Sequence, residues 1–513
     1  MNKAGRVENT IKNSTAVFLV QICGTFMGLV ARTFFIRYLS AEYLGINGLF
    51  SNILTMLSLA EMGIGAAITF SMYKPIADND EHKIAQLLNL YKKSYTAIGA
   101  VIFAIGLCVI PFLGIIIKEK PNIDHLTLIY VMFLSNTAGS YLFAYKKVLL
   151  TADQLQRIVQ FFTLGFQFIR YLIQIIVLVL TKDFILYLAV QILCTLLENI
   201  VVSIYIDRRY SFLRLYSHEE LNLEEKKSIF DNVKALFIYK LGSRVLDGTD
   251  NIIISAFDGV ISVGLLSNYS LITSSLQSMM SKVTNSITGS VGNYLAKEDS
   301  SQHERLLYNM SFMHFLLYGL VFVGCMSVLQ PFVLLWAGQS YLLSYSIVFV
   351  HCLNIYIFGM MNSIWMFRST MGLFIYGKWR PLISAIINVI VSVFLASRIG
   401  LLGVLLGTTI TRLITNVWYD PYVVYKHGLR KNPLRYYVKW SIYLIFVFFN
   451  IAINAFIQRN TMLEGIIAIL VYGIISVILF CATVALCFSK TEEYQYFESV
   501  FFRLLRKVLR SNK

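Results

Sequence analysis

Apolar positions along this chain do not alternate with polar ones in the short segments that a membrane barrel needs. They run on instead, as in Ile158–Leu180, Phe184–Ile206 and Ile466–Phe488, each close to the roughly 20 residues a helix requires to cross the hydrocarbon core. With helix length as the ruler, the hydropathy pattern predicts fourteen spans, so the fold class is all-α and polytopic. The first six are Thr15–Ile36, Ile46–Phe70, Tyr95–Ile117, Leu126–Tyr145, Ile158–Leu180 and Phe184–Ile206. Six more follow a polar segment: Ala235–Phe257, Val260–Tyr294, Met310–Trp336, Tyr345–Phe367, Pro381–Ala396 and Leu401–Tyr419. Trp440–Ile457 and Ile466–Phe488 complete the set.

Three stretches change period. Asn222 followed by Glu225 has capping-box spacing and leads into Ile229, Val233 and Leu236, which predicts an amphipathic cytoplasmic linker. Ile84, Leu87, Leu88 and Tyr91 repeat that design after the second span. In the tail, Phe497, Val500, Phe501, Leu504, Leu505 and Val508 oppose Arg503, Arg506, Lys507 and Arg510, a pattern suited to an anionic membrane surface. The expected organisation is an N-terminal six-helix lobe (1–206), a linker (207–234), a second six-helix lobe (235–424), two further helices (425–488) and a basic cytoplasmic tail (489–513). Gly48-Leu-Phe-Ser-Asn52 and Gly264-Leu-Leu-Ser-Asn268 open equivalent spans of the two lobes, as a parallel duplication would.

Composition agrees with lipid as the solvent: 57% of the residues are hydrophobic and 14% charged, against about 25% charged in soluble proteins. The net charge of +16 would suit nucleic acid if it were spread over one surface. With the N-terminus inside, however, 32 of the 44 Lys and Arg fall in inner segments and 6 in outer loops. The charge is therefore a topological signal that puts both termini in the cytoplasm and argues against nucleic acid. The seven cysteines all lie in apolar runs without Cys-x-x-Cys spacing and read as small packing residues, so no metal is expected.

Ionisable residues inside spans are costly unless they face a polar interior, which makes each a candidate for function. They are Arg32, Arg170, Lys240, Arg244, Lys282 and Arg412 against Glu61, Glu198, Asp247 and Asp250, an excess of positive charge. Residues three, four and seven apart share a helix face. Gln21, Thr25, Gly28 and Arg32 make one polar stripe, and Gln160, Thr163, Gln167, Arg170 and Gln174 a second. Lys240, Arg244 and Asp247 make a third, and Ser275, Ser278, Lys282 and Asn285 a fourth. Four such stripes, two per lobe, suggest a water-filled chamber between the lobes. Plainer roles are available for some members: Arg32 can snorkel at the outer end of its span, Lys240 at the inner end, Arg244 can neutralise Asp247, and Glu198 can sit solvated at a helix end. Glu61, Asp247 and Asp250 are the candidates for coupling to a proton or sodium gradient. No cofactor is expected.

Several segments resemble bacterial polysaccharide flippases of the O-antigen and capsule (Wzx-like) type. They are Arg32-Thr-Phe-Phe-Ile-Arg37-Tyr-Leu-Ser-Ala-Glu-Tyr-Leu-Gly45, Leu59-Ala-Glu-Met-Gly63-Ile-Gly65, Thr249-Asp-Asn-Ile-Ile-Ile-Ser255 and Val263-Gly-Leu-Leu-Ser-Asn-Tyr269. Leu335-Trp-Ala-Gly338 and Arg380-Pro-Leu-Ile-Ser-Ala-Ile-Ile-Asn388, running into Gly403-Val-Leu-Leu-Gly407-Thr408, continue the match in order. The resemblance implies the multidrug/oligosaccharidyl-lipid/polysaccharide exporter fold, two six-helix lobes in a V around a central cavity plus two further helices. It also implies movement of an undecaprenyl-diphosphate-linked oligosaccharide from the inner to the outer leaflet of the bacterial cytoplasmic membrane, alongside polysaccharide polymerase and assembly proteins. Fixed cations suit a diphosphate, because guanidinium binds phosphate oxygens bidentately.

A lipid II flippase shares the cationic cavity and the diphosphate, and is the nearest alternative. A drug or cation antiporter of the same fold would need an acid-rich cavity. A membrane polymerase, ligase or glycosyltransferase would need a catalytic domain or a large external loop, yet the longest outer connection is about Lys118 to His125. The His-Glu-x-x-His, P-loop and Gly-x-Ser-x-Gly patterns are missing from the sequence, so an enzyme is not expected.

Overall fold

The computed structural model describes residues 3–61, 64–118, 121, 123–227, 229–230, 233, 248–297, 300–373 and 375–500; among these every regular element is helical and there is no strand. The long helices are α1 (Lys3–Tyr38), α2 (Ala41–Leu57), α3 (Ile64–Asp78), α4 (Glu81–Val109), α5 (Leu126–Ala144), α6 (Gln156–Thr181) and α7 (Phe184–Arg209). They continue with α8 (Asp250–Asp258), α9 (Val260–Lys297), α10 (Ser300–Ala337), α11 (Tyr345–Thr370), α12 (Arg380–Arg412), α13 (Leu434–Thr461) and α14 (Gly465–Phe488).

Ten helices among the described residues are long and apolar enough to cross a membrane. One of them, Arg380–Leu429, contains two of the predicted spans, because Ile399 and Gly400 (φ 57°) leave helical geometry and reverse the chain. The predicted span Ile46–Phe70 is not one rod. α2 ends at Leu57, a 3-10 turn covers Ser58–Glu61, and α3 begins at Ile64. The predicted span Val260–Tyr294 is the front of the longer, more polar α9. Most of the predicted span Ala235–Phe257 lies outside the described residues.

The chain divides into two compact units, one of residues 1–267 with 381–385 and one of residues 268–380 with 386–513. In the first, α1 packs on α6, α6 on α7, and α4 and α7 on α5. α6 has the inverted character of a helix in lipid: Phe168, Leu172, Ile176 and Leu180 are exposed, whereas Gln174 is buried. Since lipid tails are as apolar as leucine, helices associate there through close packing. Gly45 shows this most sharply, because a Cβ there would lie 1.8 Å from the Val260 carbonyl oxygen. The two copies of the sequence repeat meet at this crossing: a Cβ on Gly48 would touch Val263, and one on Gly264 would come within 2.7 Å of the Ala41 carbonyl.

The apolar face of Ile84, Leu87, Leu88 and Tyr91 packs inside the protein. These residues belong to the front of α4 and are all buried. The linker docks beside them: Asn89 donates to the Tyr216 and Glu219 carbonyls at 3.0 and 2.9 Å, His82 meets Glu219 at 2.7 Å, and Lys93 pairs with Glu220. The capping box forms, with Glu225 N donating to Asn222 Oδ1 at 2.8 Å.

In the second unit α10 packs on α11, α13 and α14. Phe315 stacks on Tyr443 at 4.4 Å and meets Phe446, Phe480 and Phe488. The first turns of the tail join this cluster, Phe497 lying 6.2 Å from Phe312. Phe501, Arg503 and the rest of the tail fall outside the described residues.

Candidate substrate site

The first unit brings the first two polar stripes together. On α1, Gln21 Nε2 donates to Thr25 Oγ1 at 3.4 Å and Arg32 Nη1 donates to Ser267 Oγ at 3.1 Å. Ser267 Oγ in turn donates to the Gly264 carbonyl at 2.7 Å, so its lone pairs are oriented toward the guanidinium. On α6, Gln167 Nε2 donates to the Tyr171 hydroxyl at 3.3 Å, and the Arg170 guanidinium lies 5.0 Å from the Tyr171 ring centre. Glycines let the stripes close on each other: a Cβ on Gly24 would lie 3.1 Å from Gln167 Oε1, and one on Gly28 3.5 Å from the Tyr171 hydroxyl. From α7, Tyr187 lies within electrostatic reach of Arg32, Arg170 and Tyr171, and its carbonyl accepts from Gln174 Nε2 at 3.2 Å.

Two arginines thus share one polar layer inside the span of a single unit. Among the described residues neither forms an ion pair with a carboxylate, and the buried Arg170 Nε has no hydrogen-bond partner. A buried donor without a partner costs about 1–3 kcal/mol, more for a charged group.

The other candidates are placed elsewhere. Arg412, in the second unit, donates to the Asn354 carbonyl at 2.8 Å and sits over Phe358. Lys282 is half-buried on α9, on the face that carries Ser275 and Ser278. Lys240, Arg244 and Asp247 lie outside the described residues. Asp250 opens α8, where the helix dipole favours its charge.

Glu61 ends the 3-10 turn and is held from both sides, accepting from the Tyr95 hydroxyl on one oxygen and from Tyr141 on the other at 2.9 Å. Glu198 is not a solvated end residue: Lys147 Nζ lies 2.7 Å away and Thr163 Oγ1 donates to it at 3.0 Å. Thr163 of the second stripe is therefore engaged in a structural contact.

A cluster in the second unit escapes the sequence pattern. Asp420 is fully buried; its Oδ1 lies 2.5 Å from Arg368 Nη1 and 3.2 Å from Arg380 Nε, and its Oδ2 accepts from Trp365 Nε1 at 2.8 Å. Arg380 also donates to Asn416 Oδ1 at 2.6 Å. The turn carrying Asp420 lies between π-helical segments Leu413–Val417 and Val424–Leu429. Pro421 cannot donate the N–H that a regular helix would require there.

No family model matches the sequence, and neither does any curated protein. Solved structures do match the fold. An inward closed conformation of the lipid II flippase MurJ superposes with TM-score 0.65 at 14% identity, covering 93% of this chain and 99% of that one. An inward-facing multidrug resistance MATE family transporter of the MOP superfamily gives 0.62 at 15% identity over 81% and 99%. A point mutant of the Vibrio cholerae MATE transporter VcmN gives 0.55 at 12% identity over 82% and 99%. At these identities the likeness is one of fold: this chain is a multi-pass membrane protein whose helical fold is similar to those of the MurJ and MATE structures.

Proposed function

We propose that this chain is a flippase that moves undecaprenyl-diphosphate-linked oligosaccharide repeat units from the inner to the outer leaflet of the bacterial cytoplasmic membrane by alternating access, both termini being cytoplasmic. The observation that carries the reading is the layer of Arg32, Arg170, Gln167, Gln174 and two tyrosines within the span, with the Arg170 Nε left for an acceptor. A diphosphate supplies that acceptor, the amides and hydroxyls suit sugar hydroxyls, and the prenyl chain stays in lipid. Arg412 and Lys282, with Lys240 and Arg244, are the proposed contribution of the second lobe. Glu61, Asp247 and Asp250 are the candidates for coupling to a proton or sodium gradient.

Movement of lipid II is the second reading, favoured by the span of the likeness to the MurJ structure, 93% of this chain against 81% for the MATE transporter. Mass spectrometry of the lipid that co-purifies with the protein from its native membrane separates the two. A prenyl diphosphate bearing a sugar repeat unit supports the first reading and one bearing a muramyl peptide the second. A preparation without any prenyl diphosphate contradicts both.

A further inference from the structure

Two adjoining cavities lie in the second unit. One, of about 450 Å³, is polar and is lined by Arg305, Arg435, Lys439, Lys490, Glu492 and Glu493. The other, of about 500 Å³, is mainly apolar, with Ile287, Val291, Leu306, Met310, Met313 and Phe497 on its walls. Both fall in the roughly 300–1,000 Å³ range of ligand pockets. They share Arg305 and Asn309.

The acids do not use up the cations. Glu493 pairs with Lys439, Glu492 with Arg305 at 3.3 Å, and Glu304 is taken by Lys431 at 2.6 Å and by the Tyr308 hydroxyl at 2.9 Å. Among the described residues Arg435 and Lys490 form no ion pair with a carboxylate; Arg435 rests over the Tyr308 ring at 5.4 Å. Asn309, which walls both cavities, is 5% exposed, and its Oδ1 has no hydrogen-bond partner. A buried polar group in want of a partner, next to cations without an ion pair and opening onto an apolar trough, describes a site for an amphiphile with an anionic head.

We infer that the paired cavities bind one anionic phospholipid with a hydroxyl-bearing headgroup, of the phosphatidylglycerol kind. The phosphodiester sits between Arg435 and Lys490, a headgroup hydroxyl donates to Asn309 Oδ1, and an acyl chain follows Met310, Met313 and Phe497. Basic pockets between spanning helices favour anionic lipid in this way. The inference rests on the orientation proposed above only in assigning the lipid to the inner leaflet. None of the residues of the arginine layer lines these cavities, so the occupant is taken as a resident lipid and not cargo.

The test is native mass spectrometry of the full chain in mild detergent, titrated in parallel with phosphatidylglycerol, phosphatidylcholine of the same chains, and inorganic phosphate. The expected result is one phosphatidylglycerol retained per protein under conditions that strip phosphatidylcholine. Arg435→Gln with Lys490→Gln, two exposed positions, should weaken retention on the order of 25-fold, about 1 kcal/mol for each basic residue. Arg32→Ala and Arg170→Ala should retain the lipid as the parent does. Equal retention of the two phospholipids, displacement by inorganic phosphate alone, or full retention by the double variant would each overturn the site. Because retention is read on purified protein, it stands or falls independently of lipid flipping.

Discussion

Arg32 Nη1 donates to Ser267 Oγ at 3.1 Å, joining α1 to α9 across 235 positions of sequence. The acceptor is a neutral hydroxyl that itself donates to the Gly264 carbonyl, so this contact does not neutralise the guanidinium. Arg32→Ala and Arg170→Ala should each weaken binding of a diphosphate lipid by roughly 10- to 150-fold, the worth of a hydrogen bond to a charged group. Lysine at either position should recover only part, because the bidentate fork is lost. Binding to detergent-solubilised protein checks this, with Ser267→Ala as a control that frees Arg32 and leaves its charge.

Asp420 is a different kind of charged residue. It is fully buried between Arg368 and Arg380, and removing it takes the carboxylate from the buried Arg368 and one partner from the half-buried Arg380. Asp420→Ala should destabilise the folded protein by about 3–5 kcal/mol. A thermal unfolding series in detergent reads this as a large fall in Tm, whereas an unchanged Tm would mean that the cluster is open to solvent.

Glu61 offers the cleanest probe of coupling. Glu61→Gln retains side-chain oxygen for one of the two tyrosine hydroxyls, so folding should change by no more than about 1–3 kcal/mol. If the carboxylate carries a proton or sodium ion, the variant binds substrate but its transport no longer responds to an imposed gradient. Transport that responds as in the parent leaves Glu61 as a tyrosine-held strut.

The linker should respond to acid. Hydrogen bonds from Lys226 and Lys93 hold the Glu220 carboxyl down to about 2 from its ordinary 4.5. A depressed folded value contributes stability that is present above 4.5 and lost as pH falls toward 2. Hydrogen exchange across 216–227 should therefore accelerate over that window, and Glu220→Gln should show the faster exchange already at neutral pH.

The sequence carries much of this plan, because a span has a fixed length and a one-dimensional signal. Leu126–Tyr145 and Phe184–Ile206 reappear as α5 and α7 with ends shifted by a few residues at most. Helical phase also placed Gln167 and Arg170 on one face. What periodicity cannot express is the choice of partner between helices. Lys147 and Glu198 are 51 positions apart, and Arg368 and Asp420 are 52 apart, so each pair looks like two separate charges near span ends. The signal available for Asp420 was its isolation: an acid beside proline, followed by five basic residues from Lys426 to Lys439. What covers the stripe of Ile84, Leu87, Leu88 and Tyr91 was not legible, because an apolar stripe looks the same whether lipid or a neighbouring helix lies on it.

The most direct measurement reconstitutes the full chain into liposomes with a fluorescent undecaprenyl-diphosphate-linked oligosaccharide in the inner leaflet and follows its accessibility to an impermeant quencher outside. The parent protein should transfer the lipid at a rate that depends on its diphosphate, Arg170→Ala should fall to the rate of protein-free liposomes, and both should incorporate equally. Transfer by Arg170→Ala at the parent rate, or none by the parent, would contradict a flippase built on this arginine layer.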